Sequence, residues 1–216
     1  VIFVAYPNAE IGKRDYAAFK EEVARAGRDP AHVHITQLIN TVAAPSKTEA
    51  EDKWAAIDKL ALEIDALSLL SEALNFDFAR KAMDEPFTSE ELAQMSGLQG
   101  IRDRVLQACG NNKHPTVRDF IRISGRGRVH NPLVGGPKEV ADALEQWFYA
   151  PACDGFVLSA THVPGAYEDF VRFVVPELQR RGLFRKEFAG ATLRANLGLP
   201  KPAIAAWRKA RPAPAT

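Results

Sequence analysis

Apolar positions in the chain fall into short β-like runs followed by helical stripes. Val1 to Tyr6 is β-branched and aromatic and halts at Pro7-Asn8, which predicts a buried parallel-sheet strand and then a loop. From about Glu10 to Ala26, Ile11, Tyr16, Phe19 and Val23 recur at helical spacing, and Gly27 with Pro30 supplies the stop. The segment His32 to Val42 places Val33, Ile35, Leu38, Ile39 and Val42 among β-formers and predicts a second strand. It precedes Thr48-Glu49-Ala50-Glu51, whose Thr and Glu three positions apart suit a capping box. The helix that follows carries Trp54, Ile57, Leu60, Leu62 and Ile64, which predicts one wide apolar face.

The middle of the chain loses this regularity. Phe76, Phe78, Met83 and Phe87 sit among charges without a clear period and predict an irregular excursion, followed by helices over Glu90–Cys109 and Thr116–Ile123. Residues about 67–132 therefore read as a helical and irregular insertion before the last β/α unit. That unit is sharply written. Gly135-Gly136-Pro137 puts proline at a first helical position, and Val140, Leu144, Trp147 and Phe148 line one face. Gly155 to Ala160 is short, apolar and bounded by turns, predicting a fully buried strand. Phe170, Val174 and Leu178 continue a helical stripe in which Pro176 predicts a kink. Residues 200–216 form a Pro- and Ala-rich tail. The pattern as a whole predicts an α/β fold.

Composition narrows the partners. With 216 residues and 46% hydrophobic content the chain can bury a substantial core, and 28 basic against 27 acidic residues leave no field that would gather nucleic acid or an anionic membrane. Charges such as Arg172 and Glu177 interrupt every long apolar run, so no membrane span is expected. Cys109 and Cys153, the only cysteines, lack CxxC spacing and read as reduced thiols of a cytoplasmic protein. His32, His34 and His114 have no acidic or Cys partners at metal-ligand spacing, and Ser96, Ser124 and Ser159 lie in no nucleophile elbow, so neither a metal site nor a hydrolase triad is expected. Gly125-Arg126-Gly127-Arg128 reads as an anion-holding loop or a solvated turn. Opening directly on a strand-like run without an initiator Met, the chain reads as starting inside a domain.

Four segments carry a resemblance: GGPKEVADALEQWF, ACDGFVL, VVPELQRRGLF and ATLRANLGLP. Together they resemble the nitrilotriacetate, dibenzothiophene-sulfone and long-chain-alkane monooxygenase branch of the bacterial luciferase-like flavoenzymes. VIFVAYP, AGRDPAHVHI and the TEAE helix start fit the same family in the same order. The resemblance implies the C-terminal part of a (β/α)8 TIM barrel, with residues 1–199 in one barrel domain and the strands at Val1, His32 and Gly155 as its last three. A complete barrel needs about 250 residues and eight strands, so the remaining strands and the flavin phosphate site are expected upstream of Val1. It further implies a two-component monooxygenase that uses O2 and reduced FMN, supplied by a separate NAD(P)H-dependent flavin reductase, to oxygenate a small xenobiotic-type compound. A homodimer or homotetramer is expected with it. Cleavage of riboflavin is an alternative chemistry within the family. A catalytically incomplete half-barrel acting as a packing or oligomerisation module is the alternative outside it.

Barrel geometry then selects residues, because functional groups sit at the C-terminal ends of strands. Phe3 and Ala5 share a strand face and, by the resemblance, form apolar wall near the flavin ring; for Phe3 the competing reading is core packing. His130 stands where the family often carries a histidine and could donate a hydrogen bond to cofactor or substrate, or lie at the surface. His162 directly follows the last strand and is either a pocket residue or a solvated loop histidine. The catalytic groups themselves stay unassigned. Gly136 stands where the family commonly has Thr, so a hydroxyl contact there is missing.

Overall fold

The computed structural model describes residues 1–110, 114–125 and 132–201. It is an α/β structure with a four-stranded sheet, β1 (Ile2–Val4), β2 (Ile35–Ala43), β3 (Leu133–Gly135) and β4 (Gly155–Ala160). The chain divides into two compact units. Strands β2 and β4 contribute residues to both.

The first unit comprises Val1–Leu38, Leu144–Val157 and Glu177 onward. Here β1 pairs in parallel with the start of β2, in the register Ile2 to Ile35, Phe3 to Thr36 and Val4 to Gln37. Between these strands runs α1 (Ala9–Arg25), capped at its start by Asn8, whose side chain accepts from the Ile11 N–H. A single 3-10 turn, Pro30–His32, then leads into β2. The strand–helix–strand order and the parallel pairing are those the apolar pattern predicts. Strand β1, expected to be buried, is not: Val1, Phe3 and Ala5 share an exposed face, as their alternate spacing requires, while Ile2, Val4 and Tyr6 are half-buried. Phe3, at 71% exposure, does not pack into a core.

The second unit comprises Ile39–Ala143 and Leu158–Pro176. The end of β2 pairs in parallel with β3, Thr41 to Leu133 and Ala43 to Gly135. Strand β3 was hidden in the sequence because three residues ending in glycine carry too little pattern to separate from a turn. Helix α2 (Lys47–Asp58) is capped by Ser46 rather than Thr48. Ser46 Oγ accepts from the Glu49 N–H and donates to the Glu49 carboxylate at 2.6 Å, because the chain turns immediately after Pro45.

The wide apolar face expected from Trp54 to Ile64 does not form. The helix tightens and stops at Asp58, with the Leu60 and Ala61 amides bonding back to Ile57 and Asp58. A new helix, α3 (Glu63–Leu74), starts on a different axis of the pattern, leaving Leu60, Leu62 and Ile64 exposed.

The irregular middle turns out to be the main core of this unit. Phe78, Phe87 and Phe120 are fully buried, and their rings meet edge to face at centroid distances of 5.2 to 5.4 Å. Leu70, Leu74, Met95, Val105 and Val117 close around them. These come from α3, from the residue that ends α4 (Ser89–Gln94), from α5 (Gln99–Ala108) and from α6 (Val117–Ser124). The expected long helix over Glu90–Cys109 is two helices, broken at Ser96-Gly97. Gly97 lies so close to the end of α3 that a Cβ there would overlap the Ala73 carbonyl, while its own N–H and that of Leu98 bond to Leu74 and Ala73.

Helix α7 (Pro137–Tyr149) begins on its proline as predicted and buries Val140 and Leu144. Phe148, expected on the same face, is exposed. The strand β4, expected to be fully buried, is half-buried at each of its six positions. Pro176 falls in a continuous helical stretch, α8 (Gly165–Asp169), a π-helical turn (Phe170–Val174) and α9 (Val175–Arg180). The π-helical turn, closed by the Val175 N–H to the Phe170 carbonyl, directly precedes Pro176, which has no N–H to donate, and the helix continues through the proline. A short α10 (Leu193–Asn196) follows. Among the described residues no helix is long and apolar enough to cross a membrane.

Candidate functional site

Strand β4 ends at Ala160, and the next two side chains, Thr161 and His162, enter a polar cluster of the second unit. Thr161 Oγ1 donates to the carbonyl of Thr41 near the end of β2 at 3.2 Å and stands 3.1 Å from His162 Nδ1. The other ring nitrogen, Nε2, faces the Asp169 carboxylate at 3.8 Å. Asp169 is in turn held by Lys53 of α2, whose ammonium lies 2.7 Å from Oδ2 and 3.1 Å from the Ala43 carbonyl. The imidazole is thus lodged between the two strand ends and the start of α8. Gly165 allows this, because a Cβ there would come 2.8 Å from Nε2 and 3.0 Å from Cδ2. Of these residues, sequence reasoning put Thr41 and Thr161 at the strand ends that barrel geometry selects and singled out His162 alone as a pocket residue. Asp169 stands four positions after Gly165 and so on the same side of the helix, but off the Phe170, Val174 and Leu178 stripe, and nothing in the local pattern flags it.

In the first unit, Phe3 and Ala5 sit on one exposed face of β1 and its continuation, as their spacing requires. The end of this strand is held by Gln37, buried on β2. Its side-chain carbonyl accepts from the Tyr6 N–H at 3.0 Å and its amide donates to the Tyr6 carbonyl at 3.2 Å. Both backbone groups that a lengthening strand would leave open are therefore satisfied by one side chain.

A second polar centre of this unit is Asp154, just before β4. It accepts from Tyr16 at 2.7 Å, from the Ile35 N–H at 2.8 Å and from Lys20 at 2.9 Å, while its own N–H donates to the Ile35 carbonyl. Burial alone would raise its pKa, but the Ile35 N–H, Lys20 and Tyr16 together hold it below the usual carboxylate range. Burial and the bond to Asp154 raise Tyr16 well above the usual phenol range. The neighbouring Cys153 thiol is pushed up to about 11 by burial, which makes it a poor nucleophile at neutral pH. These groups splice α1 to the sheet and are structural.

His130 and the Arg126–Arg128 part of the basic loop lie outside the described residues. Gly135-Gly136 is a place of close packing: a side chain at Gly136 would meet the Glu139 carboxylate and the Ser46-Lys47 backbone. An acidic side chain at the start of α7 is unfavourable company for a phosphate. Among the described residues no group of three or more His, Cys, Asp or Glu side chains could hold a metal ion.

No protein-family model matches the chain. Individual relatives do. Nitrilotriacetate monooxygenase component A of Aminobacter aminovorans is 35% identical over 204 residues, 94% of this chain and 44% of the relative. Dibenzothiophene-sulfone monooxygenase of Rhodococcus erythropolis is 32% identical over 211 residues, 94% of this chain and 45% of the relative. The crystal structure of DmoA from Hyphomicrobium sulfonivorans superposes with a TM-score of 0.72 at 30% identity, over 90% of this chain and 40% of that one. The chain spans somewhat less than half the length of these relatives. Its structural neighbours are luciferase-like TIM-barrel monooxygenases. By sequence and by fold, the chain is a homologue of the luciferase-like monooxygenases over a span consistent with their C-terminal portion.

Proposed function

We propose that this chain is the C-terminal part of a (β/α)8 barrel in a two-component monooxygenase that oxygenates a small organic, xenobiotic-type compound with O2 and reduced FMN. The observation that carries the reading is the similarity over 94% of the chain to monooxygenases named for nitrilotriacetate and dibenzothiophene sulfone. In this reading residues 1–199 belong to one barrel domain, 67–132 are its insertion and 200–216 its tail. A separate NAD(P)H-dependent reductase supplies the flavin, and the enzyme works in the cytoplasm as a homodimer or homotetramer.

The residues present suit a flavin. In the first unit the exposed Phe3 and Ala5 face of β1 offers the apolar surface that a flavin ring needs; in the second, His162 offers a polar contact, and the resemblance suggests His130 as another. When bound, reduced FMN supplies the oxygen activation. The chain's own residues supply position: Gln37 fixes the end of β1, and Thr161 bonds to the His162 ring. No acid–base motif is required of them.

Anaerobic titration of the full-length protein with reduced FMN tests this directly. Micromolar-range binding, followed by substrate oxygenation on admission of O2, is expected. Absence of binding would overturn the reading. It would favour instead a packing or oligomerisation module, with which the exposed Val1 and Phe3 side chains also agree.

A further inference from the structure

The polar cluster at the end of β4 specifies more than the presence of a histidine. Thr161 has one hydroxyl proton, and the geometry gives it to the Thr41 carbonyl, which lies in the buried part of β2 and can only accept. Towards His162 the hydroxyl is then left with lone pairs, so the 3.1 Å contact is satisfied only when Nδ1 carries a proton and donates. In the neutral imidazole that leaves Nε2 bare. Asp169 is not a competing acceptor that would draw the proton across. Its Oδ2 stands 3.8 Å from Nε2, beyond hydrogen-bond reach, and is engaged by Lys53 at 2.7 Å. Gly165 leaves room for this edge of the ring, since a methyl group there would come 2.8 Å from Nε2.

We propose that Thr161 is a positioning residue that locks His162 in its Nδ1-protonated tautomer, so that Nε2 is presented as a hydrogen-bond acceptor to an O–H or N–H group of the bound flavin or substrate. This rests on the flavoenzyme reading for the identity of the ligand, and on the chain's own geometry for the tautomer. His162 thereby recognises a donor group; a ligand offering only acceptors at that point meets a lone pair and is disfavoured. Among the described residues Asp169 is the charged group that faces the ring, and Lys53 is its partner. Paired with each other, they give the site a polar wall without a net charge.

Nitrogen-15 NMR of the histidine-labelled full-length protein, without flavin, tests the tautomer separately from the flavoenzyme reading. The Nδ1-protonated form should dominate for His162 at neutral pH. Thr161→Val should shift it towards the Nε2-protonated form, and Thr161→Ser, which keeps the hydroxyl, should restore the wild-type signal and show that folding is not the cause. In turnover, T161V should lower kcat/KM about tenfold, the loss of one hydrogen bond's worth of orientation, with T161S recovering it. Addition of FMN that moves the Nε2 resonance assigns the donor to the flavin. An unmoved resonance together with the tenfold fall assigns it to the substrate. A dominant Nε2-protonated wild type, a tautomer unchanged in T161V, or an unmoved resonance with unchanged turnover would each overturn the proposal. Failure to bind reduced FMN would instead remove the flavoenzyme reading and leave the tautomer result standing.

Discussion

Tyr16 donates a 2.7 Å hydrogen bond to Asp154 across 138 positions of sequence, and that contact ties helix α1 to the entry of β4, whose Asp154 also accepts from the Ile35 N–H of β2. Lys20, one turn further along α1, grips the same carboxylate and also the carbonyls of Pro30 and Val33. Both ionic side chains are largely buried, so removing one strands the other. Asp154→Ala should cost about 3–5 kcal/mol in guanidinium unfolding, and Tyr16→Phe, which deletes one hydroxyl, about 1 kcal/mol. Equal effects would show that the carboxylate has found other company.

Acid should loosen the first unit in a defined order. Glu177 is held down from 4.5 to about 2 by its hydrogen bonds to Arg180 and Arg181, and Asp154 lies below its ordinary 3.8. A carboxylate depressed in the folded state contributes stability above its unfolded pKa and loses it as pH falls through the folded one. Unfolding midpoints measured from pH 6 to pH 2 should therefore fall below about pH 4.5. E177Q and D154N should flatten that fall, and an unchanged slope in both would assign the acid sensitivity elsewhere.

Phe87→Ala should destabilise the second unit by about 3–5 kcal/mol, because it empties the centre of the edge-to-face ring cluster. Leu60, which the sequence pattern put on an apolar face, is 76% exposed. Leu60→Ala should change stability by no more than about 0.5 kcal/mol. Denaturant midpoints of the two variants distinguish a core of rings from a core of the α2 stripe.

Two glycines three residues apart should respond with opposite sign. Gly97→Ala drives a methyl group into the Ala73 carbonyl and should cost about 1–3 kcal/mol or more. Gly100, in the first turn of α5, has open space around a Cβ, so Gly100→Ala should stabilise by about 0.5 kcal/mol. Thermal melts of the pair read both.

Phe3→Ala should weaken binding of reduced FMN to the full-length protein about tenfold if Phe3 is flavin wall, since a large apolar contact contributes about 1.5–3 kcal/mol. Fluorescence or absorbance titration measures it. Unchanged affinity would take Phe3 out of the wall.

Much of this fold was written in local pattern. The strand at Val1, the amphipathic α1, the start of α7 on Pro137 and the short β4 were all legible, because each is specified by neighbours within a few residues. His162 was legible too, as the polar residue that follows a strand. Its setting was not. Thr41, Lys53, Thr161, Gly165 and Asp169 come from four separate stretches, and nothing local marks a threonine as the partner of one imidazole.

The aromatic insertion failed for a related reason. Phe78 and Phe87 flank irregular backbone, where burial follows no period, so their spacing carried no signal although their burial is complete. By itself, the sequence determined the α/β alternation, the order of the elements and the family likeness, since these reside in periodicity and in contiguous strings. Only the tertiary structure decided which polar groups share a proton, which helices stop early and which phenylalanines are core. Those outcomes depend on hydrogen bonds and packing between segments far apart in the chain.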